Sequence, residues 1–443
     1  MTWQIFFSSS GLVDLYFDQI YISVCKYLSM KIISVLGREV LDSRGNPTVE
    51  VEVVTENSVG SAIAPSGAST GIHEAHELRD GGSRYHGKGV LTAVRNVSEK
   101  IAPVLIGMDV FEQEQIDKKM IELDGTKEKK NLGANAIIAT SMAVLKASAS
   151  SSGNFLHDYM GGSTMPRAMF NIINGGKHAG GKLAIQEFMI IPDAPTFSQR
   201  LRIASEIYHT LGKNLAKKFG PSSKNVGDEG GFTPNISTTY QALDEILAAA
   251  NELGYSNQIT LAIDAAASSF YENGKYSIDS KELSEDELLQ YYVDLCKSYP
   301  LISIEDPFYE ERFSSFAHLM HELPKVQIVG DDLLVTNTQR IKKAIEEKSV
   351  NALLLKVNQI GTVTEALDAS KLCKKNGMNV IVSHRSGESE DPFIADFSVG
   401  IDAGQIKTGA PARGERTAKY NQLLRIEEWL LAKEILDQSR SDN

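Results

Sequence analysis

Three apolar, strand-like runs in the second half of the chain each end in acid, and this repetition constrains the fold more than any other feature. LAID closes at Asp264, LISIED at Glu305 and Asp306, and QIVGDD at Asp331 and Asp332. A fourth run, ALLLKVNQIG, places Lys356 at the equivalent point. Like carboxylates converging at strand ends repel one another and lose hydration. A hard divalent cation relieves both penalties, so Mg²⁺ is the simplest reading. A lysine beside such a cluster is a candidate base. The pattern reads as a metal-assisted enzyme that removes a proton from carbon.

The runs belong to a longer alternation. MFNIING (169–175) and AIQEFMIIP (184–192) read as two strands, followed by helical stretches near 196–219 and 236–254. Strand-like and helical segments then alternate through LAIDAA, LISIED, VQIVGD, ALLLKV, NVIVSH and GQIKTG. Eight strands and about eight helices are the content of a (β/α)8-type barrel, whose active groups sit at the carboxyl ends of strands. An open doubly wound sheet is the structural rival, but its GxGxxG fingerprint is absent after the first strand.

Upstream, residues 31–64 read as strands joined by the turn SRGNP, and VEVEVV alternates as a half-buried antiparallel strand does. PSGASTG follows as a small-residue loop, and 88–150 is mostly helical in pattern. The fold class is therefore α/β: an N-terminal α+β domain (30–165) and a C-terminal barrel (166–443). The length of 443 residues also favours two domains. Residues 1–29 are aromatic-rich and lack a basic start, which makes a poor secretory signal. They read as an N-terminal extension, either an upstream start or a real appendage, with little tertiary contact and no catalytic part expected.

A net charge of -12 argues against nucleic acid as the main partner. It leaves room for an anionic substrate held by local cations. The three cysteines, odd in number and far apart, fit a reducing cytoplasm. No apolar run is long enough to span a bilayer.

Taken together, LDSRGNPTVEVEV, PSGASTG, NGGKHAGG, QEFMI, NVGDEGGF, SIEDPF, VGDDLLVTN, LLLKVNQIGT, SHRSGESED and GQIKTGAPARGERTAKYNQLLRIEE occur in order from about Lys31 to Leu431. In this the chain closely resembles the enolases, glycolytic enzymes that reversibly dehydrate 2-phosphoglycerate to phosphoenolpyruvate. The resemblance implies a barrel of ββαα(βα)₆ order, in agreement with the order read above. It implies Mg²⁺ ligands at Asp264, Glu305 and Asp331. Spacing alone does not choose Glu305 over Asp306 or Asp331 over Asp332. A second Mg²⁺ arriving with substrate implies Ser69 in GAST as its loop ligand, although GAST alone reads as a flexible loop.

The same resemblance makes Lys356 the base. Removing the proton beside a substrate carboxylate gives an enediolate with two negative charges on that group, and metal cations lower its barrier. A free lysine is mostly protonated at neutral pH. Mg²⁺ and Lys407 are expected to push Lys356 down, and the acids to push it up. Glu229 in GDEGG matches the general acid, with Glu187 in QEF beside it in role. Two carboxyls can share one proton. The surrounding glycines are expected to allow close backbone approach to a ligand. Arg385 and Ser386 match the phosphate-binding pair, Lys407 the group facing the substrate carboxylate, and His384 the pocket lining. His178 matches a histidine on a closing loop, with Gly175, Gly176, Gly180 and Gly181 permitting movement.

Taken singly, each of these residues has a plainer reading as a strand-end acid, a turn acid, a surface histidine or a neutralising lysine. Lys177, Thr233 and Pro392 depart from the commoner family residues without touching a matched catalytic position. The resemblance also implies a homodimer with Glu50 and Arg425 at its interface. The rival functions are a superfamily enzyme acting on an acid without phosphate, and a non-catalytic structural or binding relative. A secondary surface role such as plasminogen capture is a further possibility.

Overall fold

The computed structural model describes residues 29–67, 71–179 and 181–441. Ser69, Gly180 and all but the last residue of the proposed extension lie outside them.

The chain opens with an antiparallel sheet in the order β1 (Ile32–Leu41), β2 (Pro47–Thr55), β3 (Val59–Ile63). Its alternation is the one read from VEVEVV: Val49, Val51 and Val53 are buried, and the intervening glutamates are partly exposed. Helices α1 (Gln113–Asp124) and α2 (Ala134–Ser151) follow among shorter turns. α2 is buried nearly all round, which suits its sequence ANAIIATSMAVLKASASS. Its small side chains let β3 come very close. A Cβ added at Gly60 would lie 2.2 Å from the carbonyl oxygen of Ala143 and 2.3 Å from the nitrogen of Ala147.

The barrel begins with β4 (Arg167–Asn174) and β5 (Glu187–Pro192), then α3 (Phe197–Phe219) and α4 (Thr239–Glu252). Next come β6 (Ile259–Asp264) and a small antiparallel sheet of β7 (Tyr271–Glu272), β8 (Lys275–Ile278) and β9 (Lys281–Leu283). Five further strands alternate with helices: β10 (Leu301–Glu305), β11 (Gln327–Gly330), β12 (Ala352–Leu355), β13 (Asn379–Ser383) and β14 (Gly404–Lys407). The helices are α5 (Glu285–Ser298), α6 (Phe313–Glu322), α7 (Thr338–Glu347), α8 (Val363–Lys375), α9 (Phe393–Gly400) and α10 (Gly414–Ser441). Side-chain caps start several of them. Thr196, Thr238, Asn337 and Thr362 accept from first-turn amides, and Ser284 forms a capping box with Glu287.

The strands β4, β5, β6 and β10 to β14 close into a barrel. This is the ββαα(βα)₆ order expected from the sequence. β5 runs antiparallel to both β4 and β6. Its first residue, Glu187, therefore lies in register with Asp264, the last residue of β6.

Strand alternation divides the core in two. Met169, Met189, Ile191, Ala262, Val329, Ala352, Leu354 and Ile381 fill the barrel interior as one cluster. Leu353, Leu355, Val380, Val382, Ile304 and Ile406 belong to the other, with the helices. The cap sits on the barrel through buried polar contacts. Asp117 of α1 accepts from the backbone nitrogen (3.0 Å) and hydroxyl (2.6 Å) of Thr364, on the first turn of α8.

Gly60→Val should force the sheet off α2. The expected loss is about 2–3 kcal/mol of unfolding free energy, measured by urea denaturation, with Gly60→Ala less damaging.

Candidate active site

The alternation that fills the interior also aims the functional side chains. Two residues beyond Ala262, Val329 and Leu354, on the same face, stand Asp264, Asp331 and Lys356. Asn171 follows Met169 in the same way, and Glu187 precedes Met189 on the reversed strand. Glu305 and Lys407 follow the outward Ile304 and Ile406. The phase thus turns Glu305 and Asp331 inward, and puts Asp306 and Asp332 one step out of it.

Lys407 is buried, with its ammonium 2.9 Å from both oxygens of Glu305 and 3.2 Å from Asp264 and from Glu187. Lys356 pairs with Asp331, whose other oxygen accepts from the Gln359 amide at 2.8 Å. Asp306 turns to the backbone instead. Its two oxygens accept from the amides of Asp331 (2.9 Å) and Asp332 (2.7 Å), fixing the start of the next loop. Asp306 does so at φ +40°, a left-handed conformation that costs a non-glycine residue energy.

The charges are mutually dependent. Burial pushes the Glu305 carboxyl well above its ordinary range, and Asp264 beside it adds to the effect. Burial and then Asp331 push Asp332 up to about 8. Burial most strongly opposes the charged form of Lys356, but Asp331 and the other acids together hold the amine above its ordinary value.

Glu229 enters on the loop between α3 and α4. Its carboxylate accepts from the Asn171 amide at 2.9 Å and lies 3.5 Å from both His178 and His384. The other ring nitrogen of His178 meets the Ser386 hydroxyl at 3.0 Å. Burial opposes ionisation of Glu229, yet His178, His384 and Arg416 hold it well below its ordinary range. Burial and then Glu229 push Glu187 well up. The two carboxyls are thus pushed in opposite directions, Glu187 toward its protonated form and Glu229 toward its ionised form. The glycines beside Glu229 permit close packing within the protein. A Cβ at Gly227 would lie 2.5 Å from the His178 carbonyl oxygen, and one at Gly231 2.6 Å from the Asn174 side chain.

These groups line one cavity: Glu187, Glu229, Asp264, Asp331, Lys356, His178, His384, Arg385 and Ser386. Glu187 Oε2, Gln186 Oε1, His178 Nδ1 and His384 Nε2 are buried there without a hydrogen-bond partner, as befits a site for a polar ligand. Its acids offer oxygen donors, the set a hard divalent cation takes. Two groups bring ligand atoms within 4.8 Å of one another, Asp306–Asp331–Asp332 and His178–Glu187–Glu229. The expected trio Asp264, Glu305 and Asp331 is not gathered so tightly. Lys407 holds the first two acids, and Lys356 holds the third.

Two family models match the chain: "Enolase, N-terminal domain" over residues 32–160 and "Enolase, C-terminal TIM barrel domain" over 162–441. An enolase of Methanothrix thermoacetophila is 58% identical over 407 residues, covering 91% of this chain and 97% of that protein. An enolase of Methanosarcina barkeri is 59% identical (90% and 94% covered), and one of Thermococcus gammatolerans 56% identical (90% and 95%).

The chain belongs to the enolase family.

It is accordingly a lyase of that family, and the family implies a metal cofactor. The motif resemblance stands, and a non-catalytic reading is not favoured. The enolase motifs also contain residues whose part only the fold reveals. Arg416, fully buried in GAPARGER, donates to Nδ1 of His384 and the carbonyl of Arg385, each at 2.7 Å. It also reaches the carbonyls of Asp228 (2.9 Å) and Ser386 (2.6 Å). A guanidinium only donates, so Nδ1 accepts and the His384 proton sits on Nε2, facing Glu229. Burial pushes His384 down to about 4, so its ring is neutral near pH 7. Asn171, Gln359 and Glu74 were likewise unforeseen. Nothing in their local sequence marks them, because each partner comes from a distant segment.

Arg416→Lys keeps the charge and loses the fork. We expect kcat/KM to fall about 10–100-fold, by analogy with losses of supporting shells, while circular dichroism shows a folded chain.

Proposed function

We propose that the protein catalyses the reversible dehydration of 2-phospho-D-glycerate to phosphoenolpyruvate. The observation that carries this is the lining of one cavity by a lysine at a strand end, the carboxyls of Glu187 and Glu229, and an arginine–serine pair. The division into a cap (30–165) and a catalytic barrel (166–443) belongs to the same reading, and the two family matches support it.

Asp264, Glu305 and Asp331 would hold Mg²⁺, supported by their inward phase and oxygen-only donor set. Ser69, outside the described residues, is the proposed ligand for a second Mg²⁺ accompanying substrate. When bound, the metal supplies positive charge opposite the substrate carboxylate as that group gains electron density. Asp306 keeps Asp331 in place through its backbone.

Lys356 accepts the C2 proton of the substrate as the neutral amine, which requires release of its pairing with Asp331. The C3–O bond then breaks, its hydroxide leaves with a proton from the Glu229–Glu187 pair, and the electrons released at C2 form the double bond. One water and one phosphoenolpyruvate result. His178 and His384, flanking Glu229 at 3.5 Å, orient it toward the leaving group. Arg385 and Ser386 take the phosphate, with the guanidinium presenting a planar fork. Lys407 balances the substrate carboxylate from within the acid cluster.

The assembly is a homodimer in this reading. Glu50 accepts from Arg38 at 2.8 Å within the same chain, and Arg425, on the exposed face of α10, donates to Gln422 at 3.3 Å. The location is cytoplasmic in this reading, as the scattered cysteines suit. No helix among the described residues is long and apolar enough to cross a membrane.

Lys356→Ala should abolish exchange of the substrate's C2 hydrogen with solvent, followed by NMR in deuterated buffer. Substantial exchange in this variant means that another group is the base. Glu229→Gln should slow loss of hydroxide while sparing part of the exchange. Light scattering should give twice the chain mass, and a monomer throughout would end the dimer assignment.

A further inference from the structure

The three cations assigned to the substrate are all paired with acids, but not in the same way. Lys356 and Lys407 pair with acids of the barrel. Arg385 pairs with Glu74, which comes from the cap, 311 residues away. The carboxylate meets the guanidinium end-on, 2.9 Å from Nη1 and 3.2 Å from Nη2. Both side chains are almost fully buried, 6% and 3% exposed. The side-chain amide oxygen of Asn358 accepts a further Nη1 contact at 3.2 Å.

Glu74 thus holds the same two-pronged face of Arg385 that a phosphate would take. A dianionic phosphate and a carboxylate on one buried guanidinium repel each other strongly. The Glu74 carboxylate has alternatives, however. It also accepts from the amide of Gly71 at 3.0 Å and from the side chain of Gln359 at 3.4 Å. Leaving Arg385 does not strand it as a bare buried charge. The neighbouring backbone is anchored, with the Ala75 amide donating to the Gln359 carbonyl at 2.8 Å, so a side-chain rotation suffices.

We propose that Glu74 is an internal competitor for the phosphate group at Arg385, setting substrate affinity and selecting a dianionic phosphate over weaker anions. This rests on the reading of Arg385 as the phosphate-binding residue. The same Gln359 amide touches both Glu74 and Asp331, so the competitor is wired to the acid cluster.

The test uses the full chain with Mg²⁺, and inorganic phosphate as a competitive inhibitor against 2-phosphoglycerate. Glu74→Gln removes the charge and keeps the shape. Its phosphate inhibition constant should fall about tenfold, and KM for 2-phosphoglycerate should fall by a similar factor, with the change in KM exceeding that in kcat. Glu74→Asp keeps the charge and should stay near the parent. An inhibition constant unchanged or weakened in Glu74→Gln, or an aspartate variant that behaves like the glutamine one, would overturn the proposal. Arg385→Ala separates the two readings. Phosphate inhibition that survives it removes the assignment of Arg385 itself, whereas inhibition that needs Arg385 and ignores Glu74→Gln removes the competitor alone.

Discussion

Lys407, buried at the end of β14, sits within 3.2 Å of Glu187, Asp264 and Glu305. That contact states the constraint on which the whole site depends. Carboxylates gathered at the carboxyl end of a closed barrel lose water and repel one another, so each must share a proton, hold a cation or turn to the backbone. All three solutions are present. Glu187 is pushed toward its protonated form, Lys407 and Lys356 hold charge against Glu305, Asp264 and Asp331, and Asp306 accepts backbone amides. A divalent cation is a further answer to the same repulsion.

The reactive geometry follows from ordinary strand alternation. A packed interior of Met169, Ala262, Val329 and Leu354 means that the next inward positions are polar and converge above it. The reversed β5 belongs to the same device. By running against its neighbours, it brings a carboxyl at its start, rather than at its end, beside Asp264. The cap then supplies what the barrel lacks, through Glu74 at Arg385 and Asp117 at the start of α8.

Much of this was legible in the sequence, because regular elements carry period and punctuation. The acids closing LAID, LISIED and QIVGDD located the active end of the barrel, and the order of strands and helices gave its connectivity. The choice of Glu305 over Asp306 was not legible, and follows from the period-two phase only once the structure turns Ile304 outward. Contacts between distant segments were not legible. The tautomer of His384 depends on Arg416, 32 residues on, and the fork of Arg385 is met by Glu74 from the other domain. The glycines around Glu229 make room for Asn174 and His178, which the sequence did not reveal. Sequence shows that a backbone must pass close to something, but not to what.

The central claim is that this ring of acids is built to work with a divalent cation. Its most direct test is the absorbance of phosphoenolpyruvate after 2-phosphoglycerate is added to chelator-stripped protein, before and after Mg²⁺ is restored. The account predicts no product without metal and steady formation once Mg²⁺ is present. Undiminished turnover of the stripped protein in excess chelator would contradict it.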